Sequence, residues 1–110
     1  MDRTRVVYMI YFRKGRLRKF RTKARLVNSD TWRLEKRLPV CGFDRFYEAE
    51  IGYPWMCSVD IPYVLSWEDD VEAARELFVQ SLAMQATTYK NAAFRALDLA
   101  YEVRHAKVSR

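Results

Sequence analysis

Residues 5–27 run RVVYMIYFRKGRLRKFRTKARLV. Positions 6–12 are apolar, β-branched or aromatic on both faces, which predicts a strand in the middle of a sheet. Positions 17–27 alternate between apolar and basic side chains, the period of a strand with one face in water. A helix pattern through Leu17, Phe20, Ala24 and Val27 also fits, but the strict alternation favours a strand. Gly15 supplies the turn, so residues 5–27 predict a β-hairpin.

The alternation continues over residues 31–38, after the turn residues 28–30 and up to Pro39. The two turns fix two registers, and directly paired residues share a sheet face. The pairs that these registers predict are Phe12–Leu17, Ile10–Lys19, Tyr8–Arg21, Leu26–Trp32, Ala24–Leu34 and Phe20–Leu38. Both registers place the same residues on one core face: Val7, Met9, Tyr11, Phe20, Thr22, Ala24, Leu26, Trp32, Leu34 and Leu38. A one-residue slip in either hairpin would destroy this agreement.

Two more strands are predicted at 46–51 and 55–61, with Pro62 closing the second. From Ser66, which we expect to cap a helix, to His105 the chain has no Gly or Pro and is helical in composition. One helix of this length would span about 60 Å, so we expect a break near 86–91, or else one long helix supported by a partner subunit. The chain therefore predicts an α+β fold of one domain, 1–110. An antiparallel meander of five strands (5–61) precedes a helical segment (66–105) of two helices or one long kinked helix, packed on one sheet face.

Charge divides the chain into two parts. Residues 1–40 hold thirteen Lys or Arg against three Asp or Glu, and residues 41–110 hold seven against eleven. A basic pole of this kind attracts polyanions or acidic protein surfaces. The longest apolar run, residues 6–12, is far below the roughly 20 residues of a membrane span. We therefore expect no membrane association and a cytoplasmic location.

The basic side chains of the meander are the main candidate site. Cations aimed at phosphates bind nucleic acid, and aromatic rings give bases a surface to stack on. The candidate nucleic-acid-binding residues are Tyr8, Arg13, Lys14, Arg16, Arg18, Lys19, Arg21, Lys23, Arg25, Arg33 and Arg37. The alternative interpretation of these charges is a solvated sheet face that keeps an edge soluble.

Two functions follow from this candidate site. The first is an accessory or regulatory protein that binds DNA or RNA without strong sequence readout. The second is a protein–protein module, an inhibitor or adaptor of the kind that phages and mobile elements encode, whose basic pole docks on an acidic partner. No phosphate-binding glycine loop, nucleophile elbow or metal-ligand spacing occurs in the sequence, so we expect neither an enzyme nor a cofactor or metal.

Three further features have a structural and a functional interpretation each. Ala92, Ala96 and Ala100 recur every four residues, which fits either a homodimer seam or packing within the chain. Cys41 and Cys57 are spaced too widely for a CxxC motif, so we expect reduced thiols. The aromatic pair Tyr53 and Trp55 is either part of the core or an exposed tip that contacts a partner.

Overall fold

The computed structural model describes residues 3–58, 61–88 and 93–109. The protein folds into an antiparallel curled sheet followed by two helices. This is the α+β architecture that the sequence predicts. The strands are β1 Thr4–Arg13, β2 Arg16–Leu26, β3 Thr31–Leu34, β4 Arg45–Tyr47, β5 Trp55–Ser58, β6 Ile61–Ser66 and β7 Lys107–Val108. The helices are α1 Val71–Thr88 and α2 Ala93–Arg104, and a 3₁₀ turn occupies Glu48–Glu50. The strand order is β4-β3-β2-β1-β6-β5, with β7 added in parallel to β2.

Strand β1 lies between β2 and β6, which confirms its predicted central position. Val7 and Met9 are buried on one of its faces, and Ile10 and Phe12 on the other. We name the face that carries Val7 and Met9 the inner face, and the other the outer face. A strand covered on both sides needs apolar residues at every position, which explains the continuous apolar run of residues 6–12.

The register of the β1–β2 hairpin is the predicted one. Phe12 pairs with Leu17 and Tyr8 with Arg21, and β2 pairs with β3 through Leu26 and Trp32. The ten residues predicted to share a core face lie in or against one apolar cluster, on the inner face, except that Thr22 is buried there as a polar residue. Two turns of predicted length were therefore sufficient to place nine of these side chains on one side of the sheet, and Leu38 reaches the same cluster from beyond the end of β3.

The sheet itself covers its inner face. After β4 the chain returns to β6, where Ile51 bridges to Leu65 and the Gly52 N–H donates to the Leu65 carbonyl at 2.9 Å. The two ends of the sheet are thus joined around a core that includes Trp32, whose ring lies 4.9 Å from that of Trp67. Because the curl closes the inner face, the helices are left to cover the outer one.

Helices α1 and α2 pack together on part of the outer face. They bury Ile10, Phe12, Leu17 and Val64 beneath side chains such as Phe78. The predicted division into two helices is confirmed, and the residues between them, 89–92, lie outside the described part of the chain. The predicted pairing of Ile10 with Lys19 puts Ile10 on the face of the basic residues, but at this end of the sheet that face is apolar and covered. None of the helices in the described ranges combines the length and apolarity needed to cross a membrane.

Strand β3 ends earlier than predicted, so the expected pairing of Phe20 with Leu38 is wrong. The Glu35 N–H still donates to the Lys23 carbonyl, but the next N–H, of Lys36, donates to the Thr22 hydroxyl at 3.2 Å. Leu38 then closes a loop of its own, accepting a hydrogen bond from the Gly42 N–H at 2.9 Å. The side-chain hydroxyl takes the place of a ladder partner and lets the chain turn away.

The second predicted hairpin also differs. Strand β4 has three residues and passes into the 3₁₀ turn, because the Glu50 carboxylate accepts from the Tyr47 N–H at 2.8 Å. Pro62 does not close a strand but is the second residue of β6, a strand that the sequence analysis missed. The ladder with β1 begins one residue later, at Tyr63. Pro62 therefore lies outside the β1–β6 ladder, where no hydrogen bond from its missing N–H is needed.

Helix α1 begins at Val71 and not after Ser66, so the predicted cap is wrong. The Asp70 carboxylate accepts from the Ala73 N–H at 3.0 Å, which makes Asp70 the capping residue. Ser66 is the last residue of β6, and its hydroxyl accepts from the Glu68 N–H at 3.0 Å. The acidic residues that precede the helix supply the cap, four positions later than expected.

Candidate functional site

Four cations extend from the uncovered part of the outer face, and we name them the basic face: Arg21, Lys23 and Arg25 of β2 and Arg33 of β3. All four side chains are exposed. They share this face because residues two apart on a strand point the same way, and because Arg25 and Arg33 are direct cross-strand partners. Tyr8 of β1, partly exposed, pairs with Arg21 and lies at the border with the helices.

The basic face holds a row of arginines that crosses the sheet. Thr4 pairs with Arg25, Arg25 with Arg33, and Arg33 with Arg45 of β4. Sequence analysis missed Arg45, because it began this strand one residue later, at position 46. Arg45 forms an ion pair with Asp44 at 3.3 Å, and this hydrogen bond holds the pKa of the partly exposed Asp44 carboxyl below its ordinary value. Arg45 is therefore partly neutralised at the end of the row.

Within the described residues, none of the four basic-face cations forms an ion pair or a side-chain hydrogen bond. Lys19 differs, although it lies on the same face. Its ammonium group contacts both carboxylate oxygens of Asp69 at 2.8 Å, where the chain approaches α1. Arg75 and Arg104 likewise pair with Glu72 and Glu76. The basic face thus carries positive charge without ion-pair partners in the described residues, as Arg13, Lys14 and Arg16 at the β1–β2 turn also do. On the basic face, like charges lie opposite each other and repel.

The structure does not bring every predicted cation to this face. Arg13, Lys14, Arg16 and Arg18 lie at the β1–β2 turn, and about 17 Å of strand separates Arg16 from Arg21. The register also places Arg16 and Arg18 on the inner side of β2. Arg37 lies in the loop after β3, where its guanidinium donates to the Gly42 carbonyl at 3.1 Å. The candidate site narrows to the four cations with Tyr8 and Arg45.

A shallow groove of about 300 Å³ opens on the basic face. Its rim consists of Thr4, Lys23, Arg25, Arg33 and Glu35. Ala24 and Leu34 complete the lining, and both bury their side chains on the inner face, so the floor is the backbone of β2 and β3. Such a groove can hold an anion or a flat polar group among long charged side chains.

His105 and the two cysteines, Cys41 and Cys57, lie outside the basic face. No cluster of three metal-ligating side chains occurs in this part of the chain. His105 is exposed, with its ring 4.5 Å from that of Tyr101. Burial and a hydrogen bond with Cys41 raise the pKa of the Cys57 thiol to about 11. Cys57 is therefore protonated at neutral pH and a poor nucleophile.

The alanine stripe lies inside this chain's own core over its described part. Ala96 and Ala100 are 5% and 8% exposed, and Ala100 packs in the cluster between the helices and the sheet. Ala92 lies outside the described residues. Packing within the chain accounts for the two alanines that the structure describes. Tyr53 and Trp55, by contrast, are 63% and 44% exposed, so this aromatic pair lies at the surface and is not part of the core.

Comparison with known proteins adds no further constraint. No protein-family model, curated protein or solved structure matches the chain. The candidate site therefore rests on the geometry and charge of its own residues.

Proposed function

We propose that this protein is a non-enzymatic binding protein that holds nucleic acid on its basic face. The observation that supports this most strongly is the set of four exposed cations on one open sheet surface, without ion-pair partners in the described residues. A phosphate between Arg25 and Arg33 would relieve their mutual repulsion, because it attracts both.

The spacing of the cations also fits a polyanion. Arg21, Lys23 and Arg25 follow one another at about 6.7 Å along β2, since each strand residue advances 3.3–3.4 Å. A nucleic-acid strand carries one phosphate per roughly 3.4 Å of helix axis in a duplex. The three cations span about 13 Å along β2, so a nucleic-acid strand that runs along β2 brings several phosphates within their reach. Contacts of this kind carry little sequence information, so we expect similar binding to unrelated sequences of one base composition.

A salt titration of binding tests this proposal. Four phosphate contacts predict a log–log slope of affinity against salt of about −3 on a single strand and −4 on a duplex. The measurement is the fluorescence anisotropy of labelled DNA and RNA oligonucleotides between low and physiological salt. The absence of binding at low salt would contradict the proposal.

An acidic protein partner is the second candidate. Phe43 and Tyr47, 54% and 55% exposed, border a shallow groove of about 210 Å³ with Arg45 at one end of the sheet. Aromatic and arginine side chains are enriched at protein interfaces. A complex of defined stoichiometry that survives nuclease treatment, from a protein that binds no oligonucleotide, would favour this candidate.

A further inference from the structure

The groove on the basic face is a slot between two rows of side chains. Arg25 and Arg33 form one row, and Lys23 and Glu35 form the next, about 6.7 Å along the strands. Stacked bases are separated by about 3.4 Å, so one planar base fits between the rows. Guanidinium planes and aromatic rings are the surfaces on which proteins stack unpaired bases. Tyr8 offers such a ring beside Arg21, beyond the Lys23 row.

The width of the surface favours a single strand over a duplex. The row from Thr4 to Arg45 crosses four strands, or about 14 Å at 4.7–4.9 Å per strand. The major groove of a duplex is about 12 Å wide and admits a helix or a two-stranded ribbon. The pair α1 and α2 also covers the neighbouring part of the same face. Base edges inside a duplex are therefore out of reach of the slot, whereas an unpaired base is not.

Glu35 is the one acid on the rim of this slot among the described residues. It is exposed and has no ion pair there, even though Lys23 is its neighbour across the ladder. A carboxylate accepts hydrogen bonds only. It can bond to the exocyclic amino group of cytosine or adenine, and it repels the O4 carbonyl of uracil or thymine.

We propose that the basic face binds single-stranded nucleic acid and that Glu35 selects a base with an exocyclic amino group for the slot. This rests on the proposed function and adds the substrate class to it. The cations hold the phosphates irrespective of sequence, and Glu35 adds a preference at one position.

Binding of oligo(rC) and oligo(rU) 12-mers at neutral pH and fixed salt tests the inference, because cytosine and uracil differ in the amino group at issue. The wild-type protein is expected to bind oligo(rC) about fivefold or more tightly, the lower end of what base-edge hydrogen bonds contribute. Glu35→Gln is expected to bring the ratio close to one, since the amide can present either its oxygen or its NH₂ group. Glu102→Gln, an exposed acid on α2, is the matched control and should keep the wild-type ratio.

Three results would overturn the inference: equal binding of the two oligomers by the wild type, an unchanged ratio in Glu35→Gln, or equally tight binding of a 12-base-pair RNA duplex. If oligomers bind without preference and Arg25→Glu abolishes binding, the proposed function stands and the role of Glu35 falls. If neither oligomer nor duplex binds at low salt, both fall.

Discussion

The double substitution Arg21→Glu and Arg25→Glu is expected to weaken nucleic-acid binding at least about a hundredfold while the protein stays folded. Each change removes a charge-assisted contact of about 1.5–3 kcal/mol and places a negative charge beside a phosphate. The slope of log affinity against log salt concentration should also become less negative by about two, which is about one for each lost phosphate contact. Both side chains are exposed, and Arg25→Glu would face Arg33 across the ladder. An attractive pair would thus replace a repulsive one.

The matched control is Arg13→Glu with Arg16→Glu, two exposed arginines at the β1–β2 turn. Both double variants lower the formal net charge of the chain from +6 to +2, so a difference between them isolates position from total charge. Anisotropy titrations of the two variants at one salt concentration give the comparison, and circular dichroism checks the fold. An equal loss in both variants would mean that a diffuse field, and not the basic face, holds the ligand.

Arg75→Ala is expected to cause the largest loss of stability that a single exchange of a charged residue produces in this chain. One guanidinium nitrogen of Arg75 donates to the carbonyls of Val103, Arg104 and Ala106, at 3.0, 2.9 and 2.7 Å. The other two nitrogens contact Glu72. The last carbonyls of a helix have no partner within the helix, so Arg75 of α1 satisfies the end of α2. Its removal takes this donor from the part-buried carbonyls of Val103 and Ala106, and within the described residues the Val103 carbonyl keeps only the Ala106 N–H at 3.2 Å, so we expect a loss of about 2–3 kcal/mol.

Urea unfolding followed by circular dichroism measures this effect, and the melting temperature should fall by about 10 °C. Arg104→Ala is the control, because Arg104 also pairs with an acid of α1, Glu76, but both side chains are more than half exposed. An exposed pair contributes less than about 1 kcal/mol. Equal destabilisation by the two variants would show that the carbonyl contacts of Arg75 contribute nothing.

The parts of the fold that followed from sequence were those that short-range geometry controls. A turn of known length sets the register, and the register sets the face, so residues as distant as Met9 and Trp32 could be placed together. The helices after residue 66 were also predictable, because helix propensity depends on the residues of the segment itself. Strand β6 was missed because a proline normally ends a strand. Only the pairing with β1 shows that the ladder begins after Pro62, so that no hydrogen bond is lost at the proline.

Which layer covers which face could not be predicted, because it depends on tertiary packing. Alternation showed an apolar face, but not that the sheet would curl over it and leave the helices to the other side. The same limit applies to the site. The alternation along β2 correctly predicted that Arg21, Lys23 and Arg25 share one exposed face. It could not predict that Lys19 pairs with the distant Asp69, or that the β3–β4 ladder places Arg45 beside Arg33.

The central claim is that nucleic acid contacts the basic face, and a nuclear magnetic resonance titration tests it most directly. Amide signals of the ¹⁵N-labelled protein would be followed while a single-stranded oligonucleotide is added at low salt. The predicted result is that the largest changes fall on residues 21–25 and 33–35. Changes centred on the turn at 13–16 or on the exposed aromatics at 43–55, or no change at all, would contradict it.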